Sequence, residues 1–131
     1  MSNPHEMNVR VYYADTDAAG IVYYANYLKF AESARTEFLR DLGYDRDKFA
    51  TMSPIKGFAV LEVTVKYKAP AKLEDLLTVK TKVTEIGGAS LKMHQAIYRD
   101  DQLLVDMNVI LVCVDKNLRP SKIPQELREV L

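Results

Sequence analysis

One long helical pattern followed by four alternating segments is the feature that most constrains how this chain folds. From Tyr27 the apolar residues recur with a helical period: Tyr27, Phe30, Ala31, Ala34, Phe38 and Leu42 share one face. Lys29, Glu32, Arg35, Thr36, Glu37 and Arg40 lie mostly elsewhere. Asn26 is a natural cap for this helix and Gly43 a natural stop. A mixed connector, 44–56, has room for one short helix. Then the period changes to two. In FAVLEVTVKYK, Leu61, Val63, Val65 and Tyr67 face one way, and Glu62, Thr64, Lys66 and Lys68 the other. LLTVKTKVTEI repeats the alternation. Gly87-Gly88 marks a hairpin turn before SLKMHQAIYRD, and Asp100-Asp101 marks another. The last run, LLVDMNVILVCVD, becomes apolar on both faces after Asn108, as a central strand covered on both sides does. Ahead of the helix, Asn8 to Tyr13 reads as a first strand, and a short helix closes the chain from Pro124.

Four strands with an apolar face need a cover, and only one strongly amphipathic helix is present to supply it. The expected architecture is therefore α+β: an antiparallel sheet of about five strands wrapped around one central helix. A length of 131 residues suits one domain over 1–131. With 18 basic and 18 acidic residues there is no broad attraction to nucleic acid. The lone Cys113 excludes an intrachain disulfide, argues against a cysteine-built metal site, and fits a reducing cytoplasm. No apolar run reaches the length of a membrane span, so no membrane insertion is expected. The opening MSNPHEMNVR lacks the apolar core of a signal peptide.

The stretch YADTDAAGIVYYANY, Tyr13 to Tyr27, sets two aspartates and Gly20 just ahead of the helix. On residue type alone Asp17 reads as a turn residue bonding its own backbone. The whole string, Asp15 to Tyr27, resembles the signature of the 4-hydroxybenzoyl-CoA thioesterase family, which has the hotdog fold. The following FAESARTEFL and the later YKAPA are similar to its YbgC-type branch of acyl-CoA thioesterases associated with the Tol–Pal system. The specific likeness covers residues 10–44 and the stretch around 67–71.

The resemblance implies hydrolysis of an acyl-CoA to free acid and CoA. Such a reaction needs water or an enzyme nucleophile at the carbonyl carbon, and donors for the oxygen as charge develops. A carboxylate serves as base or nucleophile; the N–H groups at a helix start serve as donors. By this likeness Asp17 is the catalytic carboxylate and the Tyr24 backbone N–H the donor. Gly57 and Phe58 line the thioester, and Tyr27, like the other tyrosines, walls the acyl pocket or the dimer seam. The family's site lies at a subunit interface, where the carboxylate of one chain meets the helix start of its partner. A homodimer or homotetramer is therefore expected. One departure stands out: many members of the branch carry histidine where this chain has Tyr24. A phenol near pKa ten is a poor base at neutral pH, so the backbone N–H is the functional group expected there.

Other residues have plainer readings. Asp15 is expected to bond turn amides, and Glu32 and Arg35 to form an ion pair at helical spacing. His94 is a strand histidine with no ligand partner in sequence, His5 belongs to a loose terminus, and Cys113 is core. Lys56, Lys66, Lys68 and Lys72 meet CoA phosphates only if they cluster. No metal or cofactor is implied: no ligand spacing, phosphate loop or dinucleotide glycine pattern occurs. Two alternatives to hydrolysis stay open at this level, a hotdog hydratase or dehydratase of acyl thioesters and a non-catalytic acyl-thioester binding module.

Overall fold

The computed structural model describes residues 3–131. Five strands form one antiparallel sheet: β1 (His5–Arg10), β2 (Ile55–Tyr67), β3 (Leu76–Ile86), β4 (Ser90–Arg99) and β5 (Gln102–Asp115). Their spatial order is β1-β3-β4-β5-β2. The helix α1 (Asn26–Asp41) packs on one face of this sheet, and two short helices, α2 (Arg46–Ala50) and α3 (Gln125–Arg128), flank it. This is the expected sheet around one long helix. The hairpins turn at Gly87-Gly88 and at Asp100-Asp101, where Asp100 takes a positive φ of 51°.

The first strand lies earlier than its alternation indicates. It starts at His5, which is tied down rather than loose: His5 Nε2 lies 2.7 Å from Asp41 Oδ2, and its ring meets Phe38 edge-on. It ends at Arg10 because the next backbone groups leave the ladder. Val11 N–H donates to Asp75 O, and Tyr12 N–H donates to the Asp15 carboxylate at 2.9 Å. Tyr12 and Tyr13 then turn outward to 66% and 82% exposure.

In β2 the strict alternation fails at one residue. A bulge between Val60 and Glu62 leaves Leu61 without a pairing partner on β5 and turned to solvent. Phe58 and Val60 pair with Cys113 and Leu111 of the core before the bulge; Val63 and Val65 face Val109 and Met107 after it. The bulge thus shifts the inward register by one residue, which a period-two reading does not detect. β5 is interior, between β4 and β2. The segment after it folds back along its end, with Ser121 N–H donating to Cys113 O and Ile123 N–H to Gly88 O, and Ile123 and Leu127 join the core.

The middle of α1 approaches the sheet through Ala31 and Ala34, both buried. At that close approach the fully buried side chain of Gln95 on β4 points at the helix. Its amide donates to Ala31 O at 2.9 Å and to Thr81 Oγ1 at 3.0 Å, and its oxygen accepts from Arg35 Nη1 at 3.0 Å. Every polar atom of the Gln95 side chain is satisfied, which allows it to sit in an apolar core. Burial holds the Arg35 guanidinium below its usual pKa, and its bond to Gln95 is its hydrogen bond to the protein among the described residues. Gln95→Leu keeps the volume but leaves Ala31 O, Thr81 and Arg35 with a lost partner. It is expected to cost about 1–3 kcal/mol, read as a lower urea midpoint with an unchanged slope; an unchanged midpoint would refute the role of this network.

Candidate active site

The opening turn and the helix entrance form one compact loop. Thr16 and Val22 make an antiparallel bridge, Asp17 N–H donates to Ile21 O, and Gly20 N–H donates to Asp17 O, both at 3.0 Å. Gly20 closes this turn with a φ of +80°, a conformation glycine adopts without strain. The buried Asp15 holds the loop to the helix. Its carbonyl accepts from Tyr23 N–H and from Asn26 Nδ2, and its carboxylate accepts from Tyr12 N–H with Lys29 Nζ 3.5 Å away. Asn26 is therefore not the helix cap. The cap position belongs to Ala25, which has no side chain able to accept from the first turn.

The consequence is an open helix entrance. Tyr24 and Ala25 N–H find no acceptor among the described residues. Free N–H groups at the positive end of a sixteen-residue helix suit an oxygen bearing negative charge. On the same loop Asp17 is exposed. Its Oδ1 accepts from Ala19 N–H at 2.8 Å, as a turn aspartate does, while its Oδ2 has no partner among the described residues. One carboxylate oxygen fixes the turn and the other remains available.

Tyrosines surround this entrance. Tyr67, at the end of β2, donates its hydroxyl to Tyr24 O at 3.1 Å, and the Tyr24 ring lies against Tyr23 and Tyr67. Tyr24 raises the Tyr23 phenol above its usual pKa, and the Asp17 carboxylate acts in the same direction. Burial raises Tyr27 and Tyr67 likewise. These three phenols stay protonated at neutral pH. The Tyr27 ring lies against Tyr67, with centroids 5.7 Å apart. It is buried among core residues, and its hydroxyl oxygen accepts from Ala71 N–H at 3.0 Å.

Gly57 and Phe58 lie far from this loop. They sit near the start of β2, whereas Tyr67, which touches Tyr24, ends it. Roughly 30 Å of extended strand separates the two ends. Asp17 and Tyr24 flank the same short loop, and the residue that touches Tyr24 ends β2. Asp17 and the Tyr24 N–H thus belong to one loop of the chain, at the opposite end of β2 from Gly57 and Phe58. The lysines are dispersed in the same way. Lys56 is at the start of β2, Lys66 and Lys68 are at its far end, and Lys72 bridges to the opening turn beside Ile21.

Several plainer readings also resolve. Glu32 and Arg35 form no ion pair among the described residues, since the guanidinium turns inward to Gln95. His94 is bonded to Asp106 across β4 and β5, away from the loop. Cys113 is buried, and burial pushes its thiol up, against a nucleophilic role. No three His, Cys, Asp or Glu side chains gather at metal-binding distance among the described residues. Two features had little trace in sequence. Gln95 shows only as a polar residue between Met93 and Ile97 on an inward face, and the missing cap is masked by Asn26.

The model of the thioesterase-like superfamily matches residues 11–131. The acyl-CoA thioester hydrolase YbgC of Escherichia coli O6:H1 is 42% identical over 121 residues, covering 91% of this chain and 89% of that protein. A probable thioesterase from Bartonella henselae has a similar crystal structure, with a TM-score of 0.85, 36% identity, and coverage of 92% of this chain and 99% of that one. The 4-hydroxybenzoyl CoA thioesterase of a Pseudomonas strain superimposes with a TM-score of 0.92 over 99% of this chain and all of that one, at 22% identity, a likeness of fold. With most of its length matched both by the family model and by a relative of this identity, the chain belongs to the thioesterase-like superfamily, on its YbgC-type hotdog branch.

Proposed function

We propose that this protein is an acyl-CoA thioesterase in which Asp17 and the entrance of α1 perform the hydrolysis. The observation that carries this reading is the pairing on one loop of a free carboxylate oxygen with unpartnered helix N–H groups. The thioester oxygen accepts from Tyr24 N–H, which stabilises the negative charge of the tetrahedral intermediate. Asp17 either takes a proton from the attacking water or attacks the carbonyl carbon itself. Both routes place the carbonyl between the same two groups and expel CoA as its thiol; direct attack first leaves an acyl–Asp17 anhydride, which water then hydrolyses to the free acid and the carboxylate. A hydratase or dehydratase reading lacks support, because both histidines are engaged elsewhere, His5 with Asp41 and His94 with Asp106. The buried lone cysteine is compatible with a reducing cytoplasm. Among the described residues no helix is long and apolar enough to cross a membrane.

The working unit in this reading is at least a homodimer. β2 is an edge strand with its outer ladder unpaired, and it carries exposed Val60 and Leu61. Two copies pairing these edges antiparallel about a two-fold near Glu62 set Gly57 of one opposite Tyr67 of the other. Gly57 and Phe58 of the second copy then reach the loop that holds Asp17 and Tyr24. A tetramer follows if two such dimers associate.

Asp17→Asn keeps the shape and the bond from Ala19 N–H but removes the base or nucleophile. It is expected to lower kcat by about a hundredfold to ten-thousandfold, with folding intact, in a thiol-release assay on acyl-CoAs of graded length. Tyr24→Phe keeps the backbone donor and is expected to change kcat by less than about threefold. A dead Tyr24→Phe beside an active Asp17→Asn would assign the chemistry to the phenol and overturn this reading. Sedimentation at assay concentration is expected to give a mass of at least twice the 14.9 kDa of one chain. A fully active monomer would rule out the shared site.

A further inference from the structure

The turn that carries Asp17 leans on one neighbouring segment. Among the described residues, the backbone of Thr16 to Val22 reaches beyond residues 13–22 at Ala71 and Lys72. Val22 N–H donates to Ala71 O at 2.9 Å, and Ile21 forms a bridge with Lys72. Both partners lie in the connection 68–75, between β2 and β3. The same connection holds the helix entrance. Ala71 N–H donates to the Tyr27 hydroxyl at 3.0 Å, and Tyr67, just ahead, donates its own hydroxyl to Tyr24 O at 3.1 Å. The fully buried Ala71 thus grips the Asp17 turn with its carbonyl and the first turn of α1 with its N–H.

A connection between strands is mobile unless something ties it down. Here the tie is Arg99, the last residue of β4. Its guanidinium donates to Pro70 O at 3.3 Å, to Asp75 Oδ2 at 2.7 Å and to Gln102 Oε1 at 2.7 Å. Asp75 Oδ2 also accepts from Lys72 N–H at 2.8 Å, which closes the connection into a turn. The Arg99 and Asp75 side chains are 26% and 20% exposed, so water and salt screen this pair less than one on the open surface. Burial works against the charge on Asp75, but the Lys72 N–H and Arg99 outweigh it and hold the carboxyl below its usual pKa. The bond to Gln102 alone would serve the β4–β5 hairpin. The bonds to Pro70 O and Asp75 act on the connection instead, on either side of Ala71.

We infer that Arg99 is a positioning residue for the hydrolysis proposed above: by fastening 68–75 to the end of β4 it fixes Ala71, and through Ala71 the placement of the Asp17 carboxylate relative to the Tyr24 N–H. This inference rests on the thioesterase reading. Arg99 donates to neither group, so its effect on the reaction passes through Pro70, Ala71 and Val22. The requirement is geometric. One carbonyl must meet a carboxylate and an N–H together, and a displacement of about 1 Å costs on the order of a hundredfold in rate. A lysine supplies the charge for Asp75 but not the planar fork that spans several acceptors.

The test follows Arg99→Ala, Arg99→Lys and Tyr27→Phe by thiol release from acyl-CoAs of graded length and by amide hydrogen exchange. Tyr27→Phe keeps the buried ring and removes only the acceptor of Ala71 N–H, so it loosens the same connection from the helix side. Arg99→Ala is expected to lower kcat by about tenfold to a hundredfold, with KM within about threefold of the parent. Arg99→Lys and Tyr27→Phe are expected to fall between the two, and millimolar methylguanidinium to restore kcat to Arg99→Ala alone. Exchange of the Val22 and Ala71 amides is expected to quicken by at least about tenfold in each variant, while the Met93 and Val109 amides of the paired β4 and β5 keep their protection. An unchanged kcat in Arg99→Ala would overturn the inference, as would an equal loss of protection at all four amides, which marks general destabilisation. If Arg99→Ala does not fold, Arg99→Lys and Tyr27→Phe decide by the same readings. A parent that hydrolyses none of the acyl-CoAs sinks the thioesterase reading; the exchange measurement then still decides whether Arg99 holds the Asp17 turn, with selective loss upholding it and uniform or no loss refuting it.

Discussion

The contact between α1 and the sheet, pinned where Gln95 reaches Ala31 O, fixes almost everything else about this molecule. A helix resting on an apolar sheet face is free to slide, because hydrophobic burial has no direction. Hydrogen bonds do. With Gln95 bonded to the helix backbone, to Thr81 and to Arg35, one register of α1 leaves no polar atom of the Gln95 side chain unpaired. That register sets where the helix begins, and so where its first N–H groups emerge. The small side chains of Ala31 and Ala34 permit the close approach that the network needs.

From that anchor the chemistry follows by exclusion. The helix entrance lies against the Asp15 to Tyr23 loop, and the loop spends the buried Asp15 on holding itself together. Asp17 is left at the surface with one oxygen uncommitted. A conventional cap would satisfy the first-turn amides and remove their use for a ligand. Ala25 at the cap position leaves that capping energy, about 1 kcal/mol, unrealised in the folded chain and keeps the donors open. The neighbouring phenols are held protonated and shape the entrance.

The edge strand β2 divides labour along its length. One end touches the helix entrance through Tyr67, and the other carries Gly57 and Phe58. An unpaired edge of thirteen residues with exposed Val60 and Leu61 is a hazard for an isolated chain. In the homodimer proposed above, a two-fold partner turns it into the means by which the two ends meet. The Leu61 bulge lies close to the centre of such a pairing, where added twist bends the strand.

The sequence by itself determined the architecture, because periods of 3.6 and 2 and the glycine and aspartate turns are local properties, readable from neighbours in the chain. It also singled out Asp17 and Tyr24, because both belong to one short loop whose residues resemble a family signature. Tertiary structure alone decided the rest. The start of β1 depends on His5 meeting Asp41, and the inward register of β2 on a bulge that pairing with β5 imposes. Tyr27 is core because Ala71, far along the chain, donates to its hydroxyl. Arg35 ignores Glu32 because Gln95 offers a buried acceptor. Asn26 reads as a cap, yet its amide serves Asp15 and leaves the helix open. In each case a local pattern offers two partners of similar strength, and the choice rests with residues that only folding brings near.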